Sequence, residues 1–167
     1  MNEIKIEQVF SIKKYKDQLS NILIHIVQTG ASIGFLPPLN QTDAKIYWDN
    51  VMSDEVILLI AKVNDHIVGT VQIHLCKKQN GSHRAEIAKL MTHPNYQRKG
   101  IGKLLMDEAE KVAKQYQRTL LVLDTREGDI SNHLYLSLGY IEAGKIPNYS
   151  ISMNGNLSAT VFYYKLI

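Results

Sequence analysis

The sequence predicts one compact α/β domain, a mixed sheet flanked by helices, and three observations predict it. A chain of 167 residues is long enough for one independent core and short of the length at which cores divide. Its apolar residues fall in short runs whose spacing switches between the helical period and the strand period. Those runs follow the order α-α-β-β-β-α-β-α-β-β, with no repeat, low-complexity tract or linker, so residues 1–167 read as a single domain.

Residues 15–29 put Leu19, Ile22, Leu23 and Ile26 on one stripe, the pattern of a first amphipathic helix. Gly30, Gly34 and Pro37-Pro38 interrupt it, because glycine permits turns and proline lacks a backbone donor. Asn40 or Thr42 caps a second helix running to about Val51, with Ala44, Tyr47, Trp48 and Val51 at helical spacing. Val56–Ala61 is an apolar run of strand length, as expected where both faces are covered, and Asn64-Asp65 supplies a hairpin turn. In Ile67–Leu75 the polar Thr70, Gln72 and His74 alternate with apolar residues, the period of a one-sided strand. Asn80-Gly81 marks another turn, and Ala85–Met91 reads as the next strand, stopping near Pro94. Ile101–Tyr116 places Ile101, Leu104, Leu105, Ala109, Val112 and Tyr116 on the helical face that should lie on the sheet. Thr119–Leu123 reads as a buried strand, Ile130–Leu138 as a short helix stopped by Gly139, and Ala159–Leu166 as a last β segment.

Composition excludes several classes of function. The net charge of +3 is mild, and Arg98, Lys99, Lys103, Lys111 and Lys114 share their stretch with Asp107, Glu108 and Glu110. This is the pattern of a solvated helix face rather than a nucleic-acid surface. No apolar run approaches the roughly 20 residues of a membrane helix. The start Met-Asn-Glu-Ile-Lys-Ile lacks the order of a secretory signal, so a cytoplasmic location is expected. Cys76 is the sole cysteine, which rules out an internal disulfide and a thiolate cluster. His66, His74, His83 and His93 are scattered without ligand spacing, so no metal is expected, and His74 beside Cys76 reads as strand packing.

The most informative segment is Gln97-Arg98-Lys99-Gly100-Ile101-Gly102-Lys103, which joins a strand to an amphipathic helix. Free N–H groups at a helix start, together with the positive end of its dipole, form an anion site. Gly100 and Gly102 leave room for a diphosphate at the backbone, and Arg98, Lys99 and Lys103 add positive charge. Taken alone, two glycines can simply ease a turn. The spacing matches neither a phosphate-binding G-x-x-x-x-G-K-[ST] loop nor a G-x-G-x-x-G dinucleotide turn, so another phosphate ligand is required.

Gln97-x-x-Gly100-x-Gly102, between that strand and that helix, resembles the coenzyme A signature of the Gcn5-related N-acetyltransferase (GNAT) family, and the order of elements resembles its fold over nearly the whole chain. The resemblance implies a mixed, mostly antiparallel sheet and acetyl-CoA as cosubstrate, with Gln97, Arg98, Lys99, Gly100, Ile101, Gly102 and Lys103 holding the diphosphate. It also implies that backbone groups at Leu90, Met91 and Thr92 hold the pantetheine arm. Within the family, Gly30–Phe35, Leu123–Gly128 and Gly144–Tyr149 are similar to segments of the tabtoxin resistance type. One departure stands out: many members carry an asparagine seven residues before the tyrosine at Tyr135, where this chain has Gly128.

Acetyl transfer to an amine needs a base for the incoming ammonium and a proton for the departing thiolate. Asp124, Glu86 or a water chain can be the base, and Tyr135 can be the acid. On the residues alone Asp124 also reads as a cap or turn former, and Tyr135 as a core aromatic. The resemblance implies the pair Asp124 and Tyr135, with Glu86 in reserve. Phe35, Trp48 and Tyr149 are the acceptor-binding candidates, although helical spacing already accounts for Trp48 as packing. The expected reaction is acetyl transfer from acetyl-CoA to a primary amine of a small molecule; the alternative is an inactive acetyl-CoA-binding sensor or partner-binding module. A homodimer is expected only on the frequency of symmetric pairs.

Overall fold

A computed structural model describes residues 3–167; Met1 and Asn2, part of the start read above, lie outside the described residues. In chain order the elements are β1 (Lys5–Val9), α1 (Lys16–Gln28), α2 (Gln41–Val51), β2 (Val56–Val63), β3 (His66–Leu75), β4 (Arg84–Thr92), α3 (Ile101–Gln115), β5 (Leu120–Arg126), α4 (Ser131–Ser137), β6 (Ile141–Ile151) and β7 (Leu157–Leu166). The seven strands form one sheet in the order β1-β2-β3-β4-β5-β7-β6. Every neighbouring pair is antiparallel except β4 and β5.

Helices cover both faces. On one side α3 packs Ile101, Leu105, Met106, Ala109, Val112 and Ala113 against Val71, Ile73, Ile87 and Leu121 of the strands. On the other, α1 and α2 bury Leu19, Ile22, Leu23, Ala44 and Trp48 against Leu58, Ile60 and Met91. Local chemistry fixes the ends. Asn40 accepts a hydrogen bond from the Asp43 N–H at 2.8 Å and so caps α2. Asn64 and Asp65 turn the β2–β3 hairpin with φ of 47° and 63°, the left-handed pair that this tight turn demands.

Four features differ from the sequence reading. The strand β1 was not predicted: its Lys5, Glu7 and Gln8 give no clean alternation, and pairing with β2 at the sheet edge is what holds it. The strand β3 is not one-sided, because Thr70 and Gln72 are fully buried under the helices. Gln72 Nε2 donates to the Tyr47 hydroxyl and Gln72 Oε1 pairs with His74 Nε2, so the buried amide is satisfied. Leu104 and Tyr116 are exposed rather than buried: Leu104 lies off the stripe that runs 101, 105, 109, 112, and Tyr116 is the C-cap, where α3 has already ended. Finally, β5 continues through Asp124 to Arg126, with Leu121, Leu123 and Thr125 inward and Asp124 exposed.

The pairing of β4 with β5 positions the site. They are in register only from Arg84–Glu86 opposite Leu120–Val122, and then part. Beyond that point β4 stays with β3 and β5 with β7. A bulge in β4 accompanies the parting: Thr70 faces Met91 and Gln72 faces Ala88, so Val71 stands opposite two residues. The bulge breaks the alternation in which Glu86, Ala88 and Leu90 share a face. Leu90 packs with the α3 side, whereas Met91 packs with the α1 side.

Candidate active site

Where β4 and β5 part, a cleft of about 840 Å³ opens, walled by the turn into α3, both strands, α4, the segment after α1, and Tyr149–Ser150 of β6. Its floor is set by the helix start. Gly100 is the N-cap of α3 with φ +79°, and among the described residues no side chain caps the helix. The first helical bond runs from the Leu104 N–H to the Gly100 carbonyl, leaving the N–H groups of Ile101, Gly102 and Lys103 without an acceptor among the described residues. A Cβ at Gly100 would meet nothing within 4 Å, so the need for glycine there is the left-handed backbone. At Gly102 the reason differs: a Cβ would lie 3.2 Å from Leu134 Cδ2, and its absence lets α3 approach α4.

Gln97, Arg98, Gly100, Ile101, Gly102 and Lys103 all line the cleft, as do Leu90, Met91 and Thr92. The Lys99 side chain turns away; its Nζ donates to the Asn95 carbonyl at 3.2 Å and stands 4.8 Å from the Tyr96 ring centre. Lys103 lines the cleft with its Nζ paired to Asp107 Oδ2 at 2.7 Å; unpaired N–H groups, an open backbone and the positive side chain of Arg98 fit the diphosphate of coenzyme A.

Asp124, Glu86 and Tyr135, from β5, β4 and α4, line the same cleft. The Asp124 carboxylate accepts a hydrogen bond from Thr160 Oγ1 on β7 at 3.1 Å. Tyr135 is buried, with ring centres of Tyr140 and Tyr163 at 6.0 and 5.9 Å, yet its hydroxyl is bonded to no other group among the described residues. Burial first, and then the negative charges of Asp124 and Asp129, push its pKa far up, so the phenol stays protonated at any ordinary pH.

The three acceptor candidates separate. Tyr149 is half-exposed and lines both this cleft and a smaller one of about 340 Å³ beside it. Phe35 lines only the smaller cleft, edge-on to Tyr47. Trp48 has no exposed surface and sits on the buried face of α2, in the core that α1 and α2 form with the sheet, so it reaches neither cleft.

Several lining residues were not singled out in the sequence: Lys89, Arg126, Asp129, Ser131 and Thr160. A lysine inside the apolar run Ala85–Met91 was a signal for the first, while Thr160 becomes visible only once β7 lies beside β5. Gly128 adopts φ +82° with open space around it. Asn132, three residues before Tyr135, does not take up the missing role of a cleft-facing amide: its Nδ2 donates to the carbonyls of Arg126 and Asp129, and its Oδ1 accepts from the Tyr163 hydroxyl.

Residues 24–140, which span this turn, the parting strands and α4, match the family model described as Acetyltransferase (GNAT) family. The chain belongs to the GNAT family. It is accordingly an acetyl-CoA-dependent N-acetyltransferase. Solved structures carry the same fold. A GNAT-family acetyltransferase from Streptococcus pneumoniae superposes with TM-score 0.83 at 22% identity, covering 99% of this chain and 100% of that one. For yncA of Salmonella typhimurium, solved with its cofactor acetyl-CoA, the TM-score is 0.79 at 17% identity, over 96% and 93% of the two chains. The ribosomal-protein-S18-alanine N-acetyltransferase of Escherichia coli gives 0.75 at 17% identity, over 99% and 94%. At these identities the likeness carries the GNAT fold. Among the described residues of this GNAT chain, no three His, Cys, Asp or Glu side chains gather as a metal site, and no helix is long and apolar enough to cross a membrane.

Proposed function

We propose that this GNAT enzyme, acting as a single domain in the cytoplasm, acetylates the primary amine of a small molecule. One observation carries the reading: a single walled cleft joins the open N-terminus of α3 to two carboxylates and a protonated phenol. Acetyl-CoA, when bound, supplies an acetyl group activated as a thioester. In our reading Gln97, Arg98, Gly100, Ile101, Gly102 and Lys103 hold its diphosphate, and the backbone at Leu90, Met91 and Thr92 flanks the arm. Lys99, held at Asn95, contributes no more than nearby charge.

Asp124 takes the proton from the incoming ammonium, directly or through water, so that a neutral amine attacks. Glu86, on the facing strand, is the second carboxylate able to do so. Tyr135 donates its proton to the departing sulfur, a role that requires the protonated phenol its environment maintains. Tyr149 and, in the adjoining cleft, Phe35 flank the acceptor's path. The likeness of three segments to the tabtoxin resistance type agrees with a small acceptor. We extend the reading to a homodimer, because β6 leaves an unpaired edge of the sheet that a second copy can meet.

Thiol release from acetyl-CoA, measured across a panel of small primary amines and of peptides with free N-termini, tests the proposal. Acceleration by small amines supports it. Acceleration by peptides alone would move the acceptor to protein, and acetyl-CoA binding with no acceleration by anything would favour the sensor reading.

A further inference from the structure

Lys89 takes no part in the chemistry described above, yet it stands in the wall of the cleft. It belongs to the bulge of β4, and its φ is +52°, a left-handed conformation that lysine seldom enters. Such backbone persists only where surrounding contacts enforce it. The side chain leaves β4 toward the segment between α1 and α2, where Nζ donates to the Ile33 carbonyl at 2.6 Å. The same Nζ lies 5.9 Å from the Phe35 ring centre. A Cβ on Gly34, whose φ is +87°, would stand only 3.0 Å from it. Three consecutive residues therefore close around one ammonium, and the carboxylates of Asp124 on β5 and of Glu86 on the lysine's own strand line the same cleft.

Among the described residues, the bond from Lys89 to Ile33 is the one hydrogen bond between residues 31–39 and the sheet. Ala31, Ser32 and Gly34 line both clefts, so whatever holds this segment sets the shape of the space between them. A hydrogen bond from a charged donor, partly shielded from water, is stronger than a neutral one.

We propose that Lys89 is a positioning residue, a strap that holds residues 31–35 against β4 and so fixes the acceptor end of the cleft. Its consequence for catalysis rests on the acetyltransferase reading above, while the strap itself can be measured without any acceptor.

The experiment uses the full chain with Lys89→Met and Lys89→Arg. Amide hydrogen exchange in residues 30–36, read at Gly30 and Ile33, whose N–H groups are the hydrogen-bonded ones of that segment among the described residues, should accelerate about tenfold in Lys89→Met, the loss expected for one charged hydrogen bond. Lys89→Arg should restore slow exchange, because a guanidinium can donate to the same carbonyl and stack on Phe35. Exchange in residues 97–104 should not change in either variant. With acetyl-CoA as the only added substrate and water as acceptor, release of acetate and free thiol should rise several-fold in Lys89→Met and fall back in Lys89→Arg. Unchanged exchange at 30–36, equal acceleration in both segments, or no rescue by arginine would overturn the strap. A hydrolysis rate indifferent to both substitutions would remove its role at the acceptor end. Failure of every amine in the acceptor screen would instead sink the small-amine reading and leave the exchange result standing.

Discussion

The Thr160 hydroxyl lies 3.1 Å from Asp124 Oδ2 and 3.0 Å from the Thr125 carbonyl, so one buried group on β7 orients the carboxylate that β5 presents to the cleft. Thr160→Val keeps the side-chain shape and removes the donor. Turnover should drop about tenfold while acetyl-CoA affinity stays within twofold, and Thr160→Ser should recover most of the loss. Steady-state kinetics on both variants, alongside calorimetry, checks this; a Thr160→Val enzyme with normal turnover would mean that the carboxylate needs no such support.

Tyr135→Phe should lower turnover roughly 100-fold and leave acetyl-CoA affinity nearly intact if the phenol is the general acid. Because burial and nearby carboxylates push its pKa up, the intact enzyme should not lose activity through this group between about pH 8 and 10, where ordinary tyrosines begin to ionise. A pH–rate profile of both proteins shows whether any alkaline fall belongs to Tyr135.

The two glycines of the α3 start should respond differently. Gly100→Ala meets no neighbouring atom but must hold φ +79°, which costs about 1 kcal/mol of stability in a urea titration. Gly102→Glu places a bulky anion against Leu134 and at the unpaired N–H groups, and calorimetry should show acetyl-CoA binding abolished. Full affinity in a folded Gly102→Glu protein would move the diphosphate elsewhere.

His74 gives a pH dependence of stability. Burial holds its pKa below the usual histidine value, Glu86 opposing and Lys89 assisting. A histidine depressed in the folded state adds stability above its unfolded value, about 6.5, and that contribution is lost as pH falls through the lower folded value. Unfolding midpoints measured from pH 7 downward should therefore decline in the wild type and decline less steeply in His74→Gln.

Trp48 is the only tryptophan, and it is fully buried, its Nε1 without a partner among the described residues. Its emission should be blue-shifted, resist iodide quenching and ignore added amines. Trp48→Ala should cost roughly 3–5 kcal/mol, the range for emptying a large core site. An emission change on adding an amine would return this residue to the acceptor site.

What was legible in the chain was mostly what is encoded locally. The helix stripes, the Asn40 cap, the Asn64-Asp65 turn and the Gly100 start each depend on residues within a turn or two of one another. The edge strand β1 was illegible because its polar residues satisfy themselves by pairing with β2, more than fifty positions away. The buried polar face of β3 misled for a similar reason: Thr70 and Gln72 look solvent-bound until α1 and α2 cover them, and Tyr47 then supplies Gln72 with a partner.

By itself, then, the sequence determined an α/β order of elements and a glycine turn able to hold a diphosphate, since both follow from spacing and from backbone freedom at single residues. Only the tertiary structure decided that Trp48 is core, that Lys99 leaves the cleft while Lys89 enters it, and that Thr160 meets Asp124. Those outcomes hang on where β4 parts from β5 and where its bulge falls. Contacts between distant segments set both, and one extra residue in a strand is enough to redirect every side chain beyond it.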